Sequence, residues 1–391
     1  MNKKNLIIGK APSKIREIFE ANKSKDPNTI FDFSIGNPSV PPAKIVEETL
    51  ERLIKEDDVH SYTSSEGDLE VRNKIAKYLN QTYKASTLGK YIYLTCGAAA
   101  ALAISFHALL EKNDEVIGFS PYFPEYKVFI EEANGKYVPL MSDEHMLPNL
   151  ELLETSINKK TRIVLINNPN NPTGAFYNEE IIKSISSILK KKEKEFRHPI
   201  YLVSDEPYRE LLYEGEKYPF VTNYYDNSIV CYSFSKSLSL PGERIGYILV
   251  NPKAKDVNDI FYAVKGAGRS LGYICAPSLF QKMIPYVSGS HSDFEIYKKN
   301  RDLLYKSLTE IGYQIIYPTG AFYMFMKALE DDANEFANKA SEYNLLFVPS
   351  DSFGLKGYVR IAYCVSYEKI ERPRYRYIPG QAHPVGNPVS Y

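Results

Sequence analysis

One lysine stands directly after an apolar run in this chain. Ile229, Val230, Cys231 and Tyr232 lead into Ser233-Phe234-Ser235-Lys236, and Arg244 follows eight residues later, before Gly246-Tyr247. The apolar run reads as a buried strand. An amine at its end has its charged form disfavoured, which leaves it nucleophilic toward a carbonyl near neutral pH. Ser233, Ser235 and Arg244 add the short hydroxyl donors and the forked guanidinium that suit a phosphate. Asp205 closes a second apolar run, Ile200-Tyr201-Leu202-Val203-Ser204, where a carboxylate is costly unless paired. Arg360 interrupts the alternation Tyr358-Val359-Arg360-Ile361-Ala362, and its fork fits a carboxylate bidentately. Strand-like Tyr91–Thr95 runs through Gly97 into the helix-forming Ala98-Ala99-Ala100-Ala101. That order presents unpaired backbone N–H groups and the positive end of a helix to an anion, with no side chains in the way.

The elements that position these groups follow from periodicity. Residues 12–22 read as a short amphipathic helix through Ile15, Ile18 and Phe19, Phe31 to Pro38 as a turn, and Pro42 to Lys55 as a second helix. From about residue 90 to 250 strands and helices alternate, which predicts an open, mainly parallel α/β sheet. Strands at Glu115–Phe119 and Arg162–Ile166 precede a helix over Glu179–Arg197. Asn171, Asp205 and Lys236 then fall beyond the carboxyl ends of three strands, where such sheets bind ligands. After Gln281 the pattern becomes α+β: helices over Asp293–Gly312 and Ala333–Tyr343, and strands over Thr319–Phe325 and Gly357–Tyr363. The expected organisation is a large domain over 45–280 and a small α+β domain over 1–44 plus 281–391, with 371–391 a proline-rich tail. Gly266-Ala267-Gly268-Arg269-Ser270-Leu271-Gly272 has the wrong spacing for a dinucleotide loop.

A nucleophilic lysine beside a phosphate site points to pyridoxal phosphate. A pyridinium N–H is the partner that Asp205 needs, and Tyr208, three residues on, can donate to the cofactor's 3′ oxygen. Ser-x-Ser-Lys with its arginine, Asn167-Asn168-Pro169-Asn170-Asn171-Pro172-Thr173-Gly174, Asp205-x-x-Tyr208 and the Arg360 strand occur here in one order, and together they resemble the fold-type I, class I and II aminotransferases of the aspartate-aminotransferase type. The resemblance covers about residues 30 to 370. It implies a Schiff base on Lys236, phosphate contacts from the backbone of Ala98 and Ala99, a ring of Phe123 stacked on the pyridine, with Tyr122 or Tyr126 in that place if the loop register slips, and Asn171 donating to the 3′ oxygen. It further implies Arg360, Asn171 and the backbone of Gly36 at the substrate carboxylate. Tyr62, in Tyr62-Thr63-Ser64-Ser65-Glu66-Gly67, matches a tyrosine that reaches the cofactor phosphate of a neighbouring subunit, which implies a homodimer. The implied reaction moves the amino group of an L-amino acid to a 2-oxo acid, with 2-oxoglutarate the expected acceptor. The same scaffold also supports carbon–sulfur lyases, separated by release of pyruvate and thiol, and regulatory modules that bind the cofactor without turnover. The roughly 30 residues ahead of the first family segment are too few for a DNA-binding domain.

Composition narrows the rest. Lys+Arg 48 against Asp+Glu 48 gives no net charge to steer nucleic acid or an anionic membrane. No apolar stretch approaches the ~20 residues of a membrane span, and the start does not read as a signal peptide, so a cytoplasmic enzyme is expected. Cys96, Cys231, Cys275 and Cys364 lack zinc-site spacing and read as reduced core thiols; the six histidines offer no metal pattern either. The tail departs from the resemblance: Pro373, Pro379, Pro384 and Pro388 forbid the closing helix that the family carries.

Overall fold

The computed structural model describes residues 1–10, 13–22 and 29–371; the proline-rich tail expected over 371–391 lies, beyond Glu371, outside them. Among the described residues thirteen strands run in the order β1 (Phe31–Asp32), β2 (Ile92–Thr95), β3 (Glu115–Ser120), β4 (Lys136–Met141), β5 (Thr161–Asn167), β6 (Tyr201–Asp205), β7 (Ser228–Ser233), β8 (Gly246–Val250), β9 (Ile315–Ile316), β10 (Tyr323–Lys327), β11 (Leu345–Leu346), β12 (Val348–Pro349) and β13 (Tyr358–Ala362). Seven of them form one sheet, in the order β2-β8-β7-β6-β5-β3-β4. Only β8 runs antiparallel to its neighbours, so the sheet is mainly parallel, as expected.

A parallel sheet needs helical cover on both faces, and the central strands therefore read as continuous apolar runs. Alternation along β5 shows the two faces. Ile163 and Leu165 pack with Val203, Ile229 and the Ala98–Leu109 helix, whereas Val164 and Ile166 join Leu202, Val230 and the Glu179–Phe196 helix. Side-chain caps start the helices where the sequence changes: Asn178 accepts from Ile181 N–H and Asp68 from the N–H groups of Glu70 and Val71. Such caps contribute about 1 kcal/mol each.

A second, antiparallel sheet, β12-β13-β10-β9, carries its own apolar cluster through Phe322, Met324, Met326, Ile361 and the Ala333–Glu342 helix. Three expectations are corrected. Phe31–Asp32 is not merely turn but a short strand, parallel to β11, and Phe33 to Pro38 remain loop. The strand expected from Thr319 begins at Tyr323, because Ala321 takes a left-handed φ of 55° just before it. Cys231 and Cys364 are buried, but Cys96 and Cys275 are partly exposed rather than core; all four are free. The Gly266–Gly272 segment belongs to the end of the Val257–Ser270 helix, which suits no dinucleotide loop.

Candidate active site

The loops beyond β5, β6 and β7 meet a face of the second sheet around a cavity of about 270 Å³. Nearly every residue singled out in the sequence lines it, on opposite walls.

Lys236 sits in the single helical turn Phe234–Ser237 that follows β7, and its Nζ donates to Gly36 O at 2.6 Å. Burial, with Arg244 and Arg360 nearby, pulls its amine down to about 8, so a useful fraction is neutral at physiological pH. Below it the turn is knitted by hydroxyls: Ser233 and Ser235 share a 2.6 Å bond, and Arg244 Nη1 reaches Ser235 Oγ at 3.5 Å. Arg244 also donates to the carbonyls of Pro241 and Cys96 at 2.9 and 3.3 Å. Opposite stands the start of the Ala98–Leu109 helix, whose N-cap, Gly97, offers no side-chain cap. Gly97 has φ 85°, and a Cβ on it would lie 2.6 Å from Arg244 Nη2. Glycine is therefore required for the helix end and the guanidinium to share one anion-sized space. With Ser233, Ser235 and the amides of Ala98 and Ala99, this space could cradle a phosphate.

Asp205 ends β6. Its Oδ2 accepts from Tyr126 Oη at 2.5 Å and Asn167 Nδ2 at 3.3 Å, while its Oδ1 is buried without a hydrogen-bond partner. Burial, with Glu206 adjacent in sequence, pushes the carboxyl up to about 7. A buried carboxylate oxygen left unpaired costs about 1–3 kcal/mol or more, and a ring N–H presented in the cavity would relieve it. That orphan oxygen, together with the cradle and the amine, fits pyridoxal phosphate. Phe123 lines the same cavity, its ring edge-on to Tyr126 at 5.5 Å.

On the facing wall, Arg360 of β13 is 1% exposed. Its Nη1 donates to Asn171 Oδ1 at 3.1 Å, its Nη2 donates to Ser34 O, and its Nε has no partner. The guanidinium lies over the rings of Tyr323, at 4.6 Å, and Phe353, at 5.2 Å. A buried guanidinium with an unused donor and, among the described residues, no acidic partner could take an incoming carboxylate. Because Asn171 spends its oxygen on Arg360, its amide N–H₂ is left for the cavity. Tyr208 is buried against Tyr323, hydroxyl to hydroxyl at 2.9 Å.

Tyr62 is the exception. It is 97% exposed and does not reach the cavity of its own chain. Three contributors were missed from sequence: Asn167, which holds Asp205; Ser34, which holds Arg360; and Tyr323; Tyr126, weighed only for the stacking place of Phe123, instead donates to Asp205. Asn167 opens the asparagine-proline loop and Tyr126 lies three residues beyond Phe123, so proximity to residues already singled out was the available signal. Among the described residues, no group of His, Cys, Asp or Glu is placed to hold a metal ion, and no helix is long and apolar enough to cross a membrane.

Comparison with known proteins shows the family. The family model for aminotransferase class I and II matches residues 28–373. A probable aspartate aminotransferase of Methanocaldococcus jannaschii is 33% identical over 370 residues, covering 92% of this chain and 95% of the relative. The aspartate aminotransferase of Pyrococcus horikoshii is 32% identical, covering 92% of each. Among solved structures, an amino transferase from Eubacterium rectale superposes with a TM-score of 0.93 at 51% identity, over 96% of each chain. Members of this family use pyridoxal phosphate, with an amino acid and an oxo acid as substrates. A lysine and an orphaned aspartate at the ends of neighbouring parallel strands, faced by a buried arginine from a second sheet, together with a family match spanning nearly the whole chain, make this protein a member of the class I and II aminotransferases.

Proposed function

We propose that this cavity moves the amino group of an L-amino acid to a 2-oxo acid, 2-oxoglutarate being the expected acceptor, and that Lys236 is the group that moves the proton. The observation that carries the reading is the partnerless Oδ1 of Asp205, in one cavity with an amine lowered to about 8. Pyridoxal phosphate, when bound, supplies the electron sink that lets the substrate Cα–H bond break heterolytically. Lys236 would anchor it, Asp205 would accept from its ring nitrogen, and Asn171 and Tyr208 would face its 3′ oxygen. Ser233, Ser235, Arg244 and the amides of Ala98 and Ala99 would take the phosphate, and Phe123 would stack on the ring.

Arg360 binds the substrate carboxylate as a two-pronged donor and so fixes which bond at Cα faces Lys236. Gly36 and Asn171 complete that contact. The neutral amine of Lys236 takes the proton from Cα and, as the ammonium, would give it to the cofactor's C4′. Burial tunes the amine for both roles, since its pKa of about 8 lies near working pH.

Tyr62, exposed on the surface, fits a contribution to the site of a second copy, and a homodimer is accordingly part of the reading. The two sheets are taken as the centres of two domains, 45–280 and 1–44 plus 281–391, and the enzyme as cytoplasmic. The test is a panel of amino acids added to the purified holoenzyme while the cofactor's visible absorbance is followed. Loss of the band, with recovery on adding 2-oxoglutarate, names the donor and supports transamination; release of pyruvate would favour a lyase instead. Lys236→Ala should lower turnover by at least about 10²–10⁴-fold, and near wild-type turnover would overturn the assignment.

A further inference from the structure

Tyr323 opens β10 and meets three residues of the site at once. Its hydroxyl lies 2.9 Å from that of Tyr208, and its ring supports the Arg360 guanidinium at 4.6 Å. A Cβ on Gly36 would overlap its hydroxyl, so the glycine that accepts from Lys236 leaves room for it. In the β10–β13 pairing Tyr323 stands opposite Ala362, diagonal to Arg360 on the same face of the sheet. The ring is 3% exposed and edge-on to Tyr208, with centroids 5.6 Å apart at 83°. A tyrosine held on every side in this way has one rotamer and one direction for its hydroxyl.

We propose that Tyr323 is a positioning residue that donates its hydroxyl proton to Tyr208 Oη, and thereby aims the Tyr208 proton at the 3′ oxygen of the cofactor. The inference rests on the reading of the cavity as a pyridoxal phosphate site. A phenol has one proton to give, and two facing phenols 2.9 Å apart share one hydrogen bond. If Tyr208 spent its proton on Tyr323, it would have none for the cavity. With Tyr323 as donor, the Tyr208 proton is free and its oxygen, already accepting, becomes the stronger donor. Burial pushes Tyr208 well above the usual phenol range and Tyr323 up to about 12, so both protons are present at neutral pH. The same residue carries a second connection, because Arg360 rests on its ring. The carboxylate site on the small sheet and the 3′-oxygen site on the large one therefore share one side chain.

The two roles separate by substitution. Tyr323→Phe keeps the ring under Arg360 and removes the proton; Tyr323→Leu removes both. A hydrogen bond donated to the 3′ oxygen stabilises its deprotonated form, so weakening it raises the pH midpoint at which the bound cofactor's visible band titrates. In the holoenzyme Tyr323→Phe should raise that midpoint by about 0.5–1 pH unit and leave the amino-donor KM within about twofold. Tyr323→Leu should in addition raise KM by roughly 2–5-fold. Tyr208→Phe should shift the midpoint further, and Tyr208→Phe/Tyr323→Phe should match Tyr208→Phe alone, because Tyr323 acts through Tyr208. Should Tyr323→Phe fail to fold, 3-fluorotyrosine at position 323, a stronger donor of the same shape, should lower the midpoint. An unchanged midpoint in Tyr323→Phe, or a double variant whose shift is the sum of the single ones, overturns the proposal and leaves the cofactor site standing. A wild-type protein that forms no lysine-dependent band overturns the cofactor site and the proposal together.

Discussion

Gly97→Ala is the most exacting test of the phosphate cradle. The residue has φ 85° and ψ 177°, a region that is essentially glycine's own. Holding alanine there costs about 1–3 kcal/mol. The added methyl would lie 2.6 Å from Arg244 Nη2 and 3.0 Å from Cζ, closer than any carbon tolerates. Of the two colliding parts the helix start is fixed by its backbone and the guanidinium is the end of a long, exposed side chain, so Arg244 is what moves. It then leaves the Cys96 carbonyl at 3.3 Å and the Ser235 hydroxyl at 3.5 Å, and with them its aim at the cradle. A hydrogen bond to a charged group contributes about 1.5–3 kcal/mol, so the variant should bind pyridoxal phosphate roughly 10–150-fold more weakly. Backbone strain should also lower its melting temperature by roughly 1–4 °C. Both are read by equilibrium titration of the cofactor-free protein, followed by calorimetry. Gly266→Ala is the contrast: nothing lies within 4 Å of its Cβ position, and the residue is helical, so it should stabilise by about 0.5–1 kcal/mol and leave cofactor affinity alone. Wild-type affinity in Gly97→Ala would refute the argument that this glycine exists to admit Arg244.

Arg360→Gln should lower kcat/KM about 10–150-fold for every amino donor, from the lost charged hydrogen bonds, while cofactor affinity stays within threefold; a donor-specific loss would instead place Arg360 at the side chain. For Asp205 the sign is set by a carboxyl raised from 3.8 to about 7, which means that the folded state holds the proton more tightly than the unfolded chain. Stability of the cofactor-free protein should therefore decline as pH rises through that window. Asp205→Asn should flatten the decline, and melting curves that keep the wild-type slope would remove Asp205 as its source.

The parts of the site that were legible in sequence are those whose signal is local. Lys236, Asp205 and the Asn167–Gly174 loop each end an apolar run, and a polar group there is conspicuous because burying it unpaired is costly. Arg360 stands out for the same reason. What was not legible depends on partners far along the chain. Nothing in Phe31–Asp32 announces a strand, because two residues form one only where β11 offers its edge. Tyr323 reads as one aromatic in an apolar strand until Tyr208, 115 residues away, is brought against it. The antiparallel course of β8 is likewise set by its neighbours β2 and β7 and not by its own residues. Tyr62 lies on the outer surface, where a single chain offers it no role.

The pairing of Phe31 with Leu345 has a bearing on how the protein is made. A ribosome adds ~5–20 residues per second, so the 314 residues added after Phe31 up to Leu345 (345 − 31) take roughly 15–60 s to emerge. For that time the N-terminal segment has no strand to join, Ser34 has no Arg360 to hold, and Gly36 meets Lys236 only after 200 residues. The seven-stranded sheet, complete in sequence by Val250, can form meanwhile. Cofactor capture by the finished cavity is thus a late event of synthesis, and the segment ahead of residue 45 is the stretch of the nascent chain left longest to the care of chaperones.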